Sequence, residues 1–510
     1  LRGAGKKPVD IIFCSLPYGE VQQVYGAPAI LKSVVQAEGY TAKTKDFGLE
    51  LFKLCDRNYD KFTKLQSYFL SSGNPLDQEE QSILDRLYDQ IIRYFQNNPS
   101  TWIGISVFSV YTHKATLDVV ERLRQAGNTS KIVLGGRGVS RTPYSSTFES
   151  FDLRSLEKVQ NFGQVLMNRK LVDQVVIGDG EDAILRVLRD EIVDAQNNLD
   201  TFEYPIPDYD DYDLSSYVWN KKGVVFPITG SRGCVRDCDF CDVREQFGKY
   251  RYRQGKDIAN EMIRINQQYG YNNFIFTDSL VNGGLRPLEE FCTAMADHNE
   301  QNPDNKITWS GQYICREEKY MPERLYALMA RSGAEGLTIG AESGSDHVLE
   351  HMNKKTTVTA LFHELEMFRK YNITSTLLTF TGHWAETDQD FLEHCRFLVR
   401  CMPYVRSGTI SYIILGSVAW VLDGTPSMEE VRNGDIVQAD FEKESLWYAR
   451  YNPSLTLRER IWRRLVVGQI CRELNYPVNA EIADLSSLNI LIEQNHREIN
   501  DFYRKCLEQV

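Results

Sequence analysis

Three cysteines stand together in one short segment, Gly230-Ser-Arg-Gly-Cys234-Val-Arg-Asp-Cys238-Asp-Phe-Cys241, a C-x3-C-x2-C spacing. Three thiolates this close in an acidic chain repel one another unless a cation or a cluster holds them. A structural zinc usually takes four protein ligands, and no fourth cysteine or histidine follows nearby. A cubane of four irons on three thiolates leaves one iron open to an exogenous ligand binding through nitrogen and oxygen. A zinc knuckle with a remote ligand is the alternative at the level of the motif. The other eight cysteines (Cys14, Cys55, Cys292, Cys315, Cys395, Cys401, Cys471 and Cys506) are dispersed. Several lie in apolar stretches, where a free thiol packs as a small hydrophobe. Dispersed spacing in so long a chain argues against a disulfide framework.

The elements around this segment alternate. Strands are expected at Val224–Thr229, Asn273–Thr277, Ile307–Trp309, Gly336–Ile339, Ser375–Thr379 and Thr409–Ile414, with helices beginning near Lys256, Leu285, Pro322, Ser345, Thr357 and Asp388. Such a series suits a partial (β/α)6 barrel, whose chemistry gathers at the strand C-termini. The cysteines follow its first strand directly. An earlier series has strands at Val9–Leu16, Trp102–Val110, Lys131–Gly135 and Gln174–Ile177, with helices at Ala27–Glu38, Ala115–Gln125 and Glu181–Ile192. It predicts a Rossmann-like α/β domain with a parallel sheet covered on both faces. Two polar insertions interrupt it near residues 48–98 and 140–172, the first holding a helix over Asp77–Gln96. The expected organisation is therefore an α/β domain over 1–200, a solvated linker over 201–218, the barrel over 219–425 and a helical C-terminal region over 426–510.

The cysteine spacing, with aromatic Phe240 directly before the third cysteine, resembles the signature of the radical S-adenosylmethionine (SAM) superfamily. The resemblance implies a 4Fe–4S cluster on Cys234, Cys238 and Cys241. It also implies SAM chelated to the open iron, whose reductive cleavage gives a 5′-deoxyadenosyl radical. Further SAM-binding candidates follow strand by strand. After the second barrel strand, Asp278 and Asn282 replace the family's usual Gly-Gly-Glu-Pro, with a capped turn as the plain reading. Ser310 and Arg316 lie at the end of the third strand. Glu342 and Ser343 end the fourth, where the family's acidic residue meets the ribose. His383 and Trp384 depart from the family's Gly-Leu-Pro-Gly-Glu-Thr after the fifth strand, and are the catalytic or substrate-facing candidates.

The first domain resembles that of the cobalamin-binding class of these enzymes, so the resemblance covers roughly residues 9–425. Its small residues at strand ends, Ser106, Gly135, Gly136, Gly178 and Gly180, would receive the corrinoid's nucleotide tail. The Asp-x-His-x-x-Gly motif of cobalt-ligating domains is absent; His113 is the only histidine before residue 298. Cobalamin would thus bind without a histidine lower ligand, against the alternative of a degenerate domain used for packing or substrate binding.

Composition is that of a globular protein: 42% hydrophobic, 25% charged, with a net charge of −12. The acidic balance argues against a large nucleic-acid footprint. No apolar run reaches transmembrane length, and no signal-type apolar block opens the chain, which points to a cytoplasmic location. The expectation is a radical SAM enzyme that methylates or rearranges an unidentified small-molecule or peptide substrate. Resemblance adds a flavodoxin- or ferredoxin-type electron donor. A cobalamin-free oxidoreductase or cyclase, or a structural Fe–S or zinc protein, are the competing readings. Arg458, Arg460, Arg463 and Arg464 read as a solvated cationic helix face, with contact to an acidic substrate as the alternative.

Overall fold

The computed structural model describes residues 8–17, 19–69, 76–141, 161–193, 200, 202–217, 223–422, 424–438 and 447–479. The chain divides into two compact units, Leu1–Pro227 with Gln267–Asn273, and Ile228–Asn266 with Phe274–Val510.

The first unit is built on strands β1 (Val9–Ser15), β2 (Ala42–Asp46), β3 (Ser100–Ser106), β4 (Lys131–Gly135) and β5 (Gln174–Val176). Their order is β2-β1-β3-β4-β5, with every pairing parallel. Strand β2 was not expected. Its sequence, AKTKD, is charged because it lies at the sheet edge, where lysines discourage further pairing. Chain order reverses between β1 and β3, the position at which such sheets open a crevice beyond their strand ends. Ile11, Phe13, Trp102, Val133 and Val176 pack against Val34, Val35, Ile184 and Val187 of the flanking helices. The first insertion forms helices Phe47–Leu54, Tyr59–Phe69 and Gln78–Asn97. The last of these starts on a capping box between Asp77 and Glu80. Most of the second insertion, 142–160, lies outside the described residues.

The expected linker is packed, not solvated. Phe202, Tyr209 and Tyr217 are buried. Asp208 and Asp211 hold the buried ammonium of Lys32 at 3.0 and 2.7 Å, and Tyr217 donates to Asp46. Acidic and tyrosine-rich composition resembles that of a solvated connector, yet here Asp208 and Asp211 meet a cation of the first unit.

Strand β6 (Val225–Ile228) crosses the division at Pro227; after it come the short ribbon of β7 (Ser231–Arg232) and β8 (Arg251–Tyr252), and then β9 (Asn273–Phe276), β10 (Thr308–Tyr313), β11 (Ala334–Glu342), β12 (Ser375–Thr381) and β13 (Ile410–Val418). The six-stranded sheet runs β13-β12-β11-β10-β9-β6 in strict chain order. That is a partial α/β barrel with helices between successive strands, as expected. The C-terminal region is not purely helical. Among its described residues, strands β14 (Ile436–Gln438) and β15 (Trp447–Ala449) form an antiparallel ribbon before the helix Leu457–Glu473. Among the described residues no helix is long and apolar enough to cross a membrane.

Candidate functional site

The cysteine loop leaves the carboxyl end of β6 and is pinned at its base by the β7–β8 ribbon. Gly233 turns the chain with φ +83°, and a Cβ there would meet the backbone of Lys249 and Tyr250 at 3.2–3.3 Å. Cys238 is buried; Cys234 and Cys241 are partly exposed. Burial pushes the Cys238 thiol up to about 12, with Lys354 pulling against it and Cys241, Glu342 and Cys234 adding to it. The Arg236 N–H donates to Cys234 Sγ at 3.3 Å, and the Val243 N–H bonds Cys241. Among the described residues, no three His, Cys, Asp or Glu side chains are placed to share a single metal ion. The donor set, three thiols of which Cys234 and Cys241 accept N–H···S bonds, fits a 4Fe–4S cluster.

At the tip of β11, Glu342 adopts φ +59°, a left-handed conformation that a non-glycine residue seldom takes. Its carboxylate pairs with Lys354 Nζ at 2.7 Å, both groups largely buried. Burial by itself would lower the Lys354 ammonium, but Glu342, Cys238 and Cys241 more than offset this and hold it above the usual range. Ser343 is buried and accepts the Ser345 N–H. Phe240 meets Phe380 edge-on at 5.4 Å, and Lys354 lies 5.8 Å from the Phe240 ring centre.

The candidates after β9 and β10 have different work. Asp278 accepts the Gly230 N–H at 2.8 Å and the Ser231 hydroxyl at 2.6 Å, so it ties its loop to the base of the cysteine loop. Burial raises its carboxyl to about 7 against these bonds. Asn282 is fully buried, donating to Ile314 O and accepting from Ile314 N. Arg316 donates to the carbonyls of Asn282 and Gly283, while its own N–H bonds Glu364. Glu364, raised to about 7 by burial, also accepts from Tyr313 and Tyr326. Asp278, Asn282 and Arg316 thus brace the strand-end loops through their side chains. Ser310 bonds only weakly, to Phe274 O at 3.5 Å.

After β12, His383 is fully buried. The Ala385 N–H donates to its Nδ1, which places the ring proton on Nε2, 3.0 Å from the Asp239 carboxylate of the cysteine loop. Trp384 donates to Glu430 and meets Trp447 edge-on. The expected cationic face of Leu457–Glu473 is instead partly a buried clamp on this loop. Arg463, almost wholly buried, pairs with Glu386 at 3.0 Å and with Asp388 and Glu459. Arg460 stacks on Trp447 with its guanidinium 3.8 Å from the ring centre, and donates to Trp447 O. Arg464 donates to Gly416 O, and only Arg458 of the four is exposed. The patterning missed this because arginine with three local acceptors can be buried in a helix whose polar residues show no single face.

In the first unit Ser106 ends β3 and Gly135 ends β4, while Gly136, Gly178 and Gly180 follow β4 and β5 on the same carboxyl edge. Gly136 has φ +106°, and a Cβ there would fall 2.6 Å from Val107 O. His113 is a core residue: it is fully buried, stacks on Phe162 at 3.9 Å, and its Nε2 lies 2.8 Å from Gly138 O. Burial lowers it to about 4. The crevice residues supply small side chains and backbone, which fits a ligand held without a histidine.

Residues 228–398 match the radical SAM superfamily. The anaerobic magnesium-protoporphyrin IX monomethyl ester cyclase of Synechocystis sp. is 25% identical over 268 residues, 48% of this chain and 52% of that protein. The cytidylyl-2-hydroxyethylphosphonate methyltransferase of Streptomyces wedmorensis is 29% identical over 164 residues, 30% of this chain and 28% of that protein. The chain thus spans about half the length, or less, of these curated relatives. Among solved structures, the radical SAM methyltransferase TsrM from Kitasatospora setae, with tryptophan and a SAM analogue bound, aligns at TM-score 0.58 and 13% identity over 89% of this chain and 82% of its own. The cobalamin-dependent radical enzyme OxsB, with aqua-cobalamin and SAM bound, aligns at TM-score 0.62 and 15% identity over 91% of this chain and 67% of its own. These likenesses establish a shared fold.

Proposed function

We propose that this chain, which belongs to the radical SAM superfamily through residues 228–398, is an enzyme that methylates or rearranges a small-molecule or peptide substrate by hydrogen abstraction. The observation that carries the reading is the set of three free thiols, Cys234, Cys238 and Cys241, on the loop that leaves the carboxyl end of β6. When bound, the 4Fe–4S cluster and SAM supply reductive cleavage to a 5′-deoxyadenosyl radical. Cys234, Cys238 and Cys241 hold the cluster and Phe240 packs beside it. Glu342 and Ser343, with Ser310, face the nucleoside. Arg316, Asp278 and Asn282 keep the surrounding loops in place, and His383 and Trp384, the catalytic or substrate-facing candidates, are held on Asp239 and Glu430. In the first unit Ser106, Gly135, Gly136, Gly178 and Gly180 would receive a cobalamin held without a histidine ligand. A flavodoxin- or ferredoxin-type protein delivers the electron.

Anaerobic reconstitution tests this. About four irons per chain and turnover of SAM to 5′-deoxyadenosine are expected, and Cys238→Ala abolishes both. Stoichiometric zinc with no cleavage of SAM would refute the reading. For cobalamin, the visible spectrum of protein loaded with the vitamin should carry corrinoid bands. Their absence selects a second reading, a cobalamin-free cyclase or oxidoreductase; the 25% identity to a cyclase over 268 residues bears on the cyclase chemistry alone.

A further inference from the structure

The helix Asp346–His351 ends in a turn, 352–355, that the mechanism above leaves unused. Two of its residues, Asn353 and Lys355, take left-handed conformations at φ +53° and +52°. Between them Lys354 is pointed inward and only 9% exposed. The turn docks on the cysteine loop from both sides. Asn353 Nδ2 donates to Asp237 O at 2.8 Å, and the Asp239 N–H donates to Met352 O at 3.1 Å. Asp237 and Asp239 flank Cys238 in the chain, so these bonds hold the turn that carries Lys354 against the Cys238 segment. Neighbours of the Lys354 ammonium are the Glu342 carboxylate at 2.7 Å and the Phe240 ring. Two neighbouring cations are committed elsewhere: Arg236 donates to Cys315 O, and Arg244 pairs with Asp237 at a half-exposed position.

A buried cation held this way has an electrostatic purpose. One electron delivered by a low-potential donor makes a thiolate-bound cluster one unit more negative, and no proton is taken up to offset it. In a water-poor setting that charge is costly unless a cation is already in place. Resting on the function proposed above, the geometry points to Lys354 as the charge-balancing residue of the cluster site. Its ammonium raises the potential at which the cluster accepts an electron, and Glu342 opposes and tunes it.

Reconstituted full-length protein, titrated anaerobically and followed by the electron paramagnetic resonance of the reduced cluster, tests this without turnover. Lys354→Met should reduce the reduced-to-oxidised ratio at a fixed potential about tenfold, a midpoint about 59 mV lower for a one-electron couple. Glu342→Gln should shift the midpoint the other way, and the double variant should return towards wild type. Lys354→Arg should stay close to wild type. Full iron content with superimposable titrations for wild type and Lys354→Met overturns the proposal while leaving the enzyme class intact. If Lys354→Met does not retain iron, Glu342→Gln decides, and no upward shift there overturns it. If wild type takes up no cluster, the broader functional reading fails instead.

Discussion

At the carboxyl ends of β3 to β5 the residues are Ser106, Gly135, Gly136, Gly178 and Gly180, and the surface they make is mostly backbone. At the carboxyl ends of β6 to β12 they are Cys234, Cys238, Cys241, Asp278, Arg316, Glu342 and His383, each with a side-chain function. The proposed first crevice would work by leaving side chains out, so a methyl group in the wrong place would be its main vulnerability. The second works by charge and hydrogen bonding, so its vulnerability is an acceptor or cation deprived of its partner. Residue type reveals the first kind of site more directly. A glycine that cannot take a Cβ marks a close approach of backbone or ligand, whereas a buried aspartate can equally cap a turn, brace a loop or bind a substrate.

The sharpest way to break this comparison is to damage each region separately. Gly136→Ala brings a Cβ to 2.6 Å from Val107 O at φ +106°. It should abolish corrinoid uptake, measured by visible titration, while iron per chain after reconstitution stays at the wild-type level. Loss of iron as well would mean that the regions are not separable in this way. Next in size is the clamp on the loop after β12. Arg463→Met strands the buried Glu386 carboxylate, and urea unfolding should show a loss of about 3–5 kcal/mol. A loss below about 1 kcal/mol would mean that the pair is screened like a surface bridge.

A subtler effect concerns pH. The Asp278 carboxyl sits near 7 in the folded protein because of its burial, against an ordinary value of 3.8. The folded state therefore keeps a proton that the unfolded state has already released between these values, and stability falls as pH rises from about 4 through about 7. Asp278→Asn retains an N–H for Ser231 Oγ and an oxygen for the Gly230 N–H but cannot ionise. Wild type should lose ground to the variant across that window when urea midpoints are compared at pH 4, 5.5 and 7.5. A constant difference would mean that Asp278 is ionised throughout.

The amino-acid sequence by itself determined the C-x3-C-x2-C spacing, the alternation that makes two parallel α/β sheets, and the small residues at strand ends. All of these are local: a loop motif, a periodicity, the absence of a side chain. Six barrel strands appeared where the apolar runs placed them, with ends moved by a few residues. Strand β2 did not, because a lysine-rich edge strand lacks the apolar signal that marks an interior one. Only the tertiary structure decided how the polar residues are used. It committed Asp278 and Asn282 to backbone groups of neighbouring loops, and placed His383 on Asp239, which lies 144 positions away. It buried Arg460 and Arg463 and set Lys354 opposite Glu342 beside the cysteines. The reason is that a hydrogen bond or ion pair needs a partner within about 3 Å, and packing, not spacing along the chain, supplies that partner.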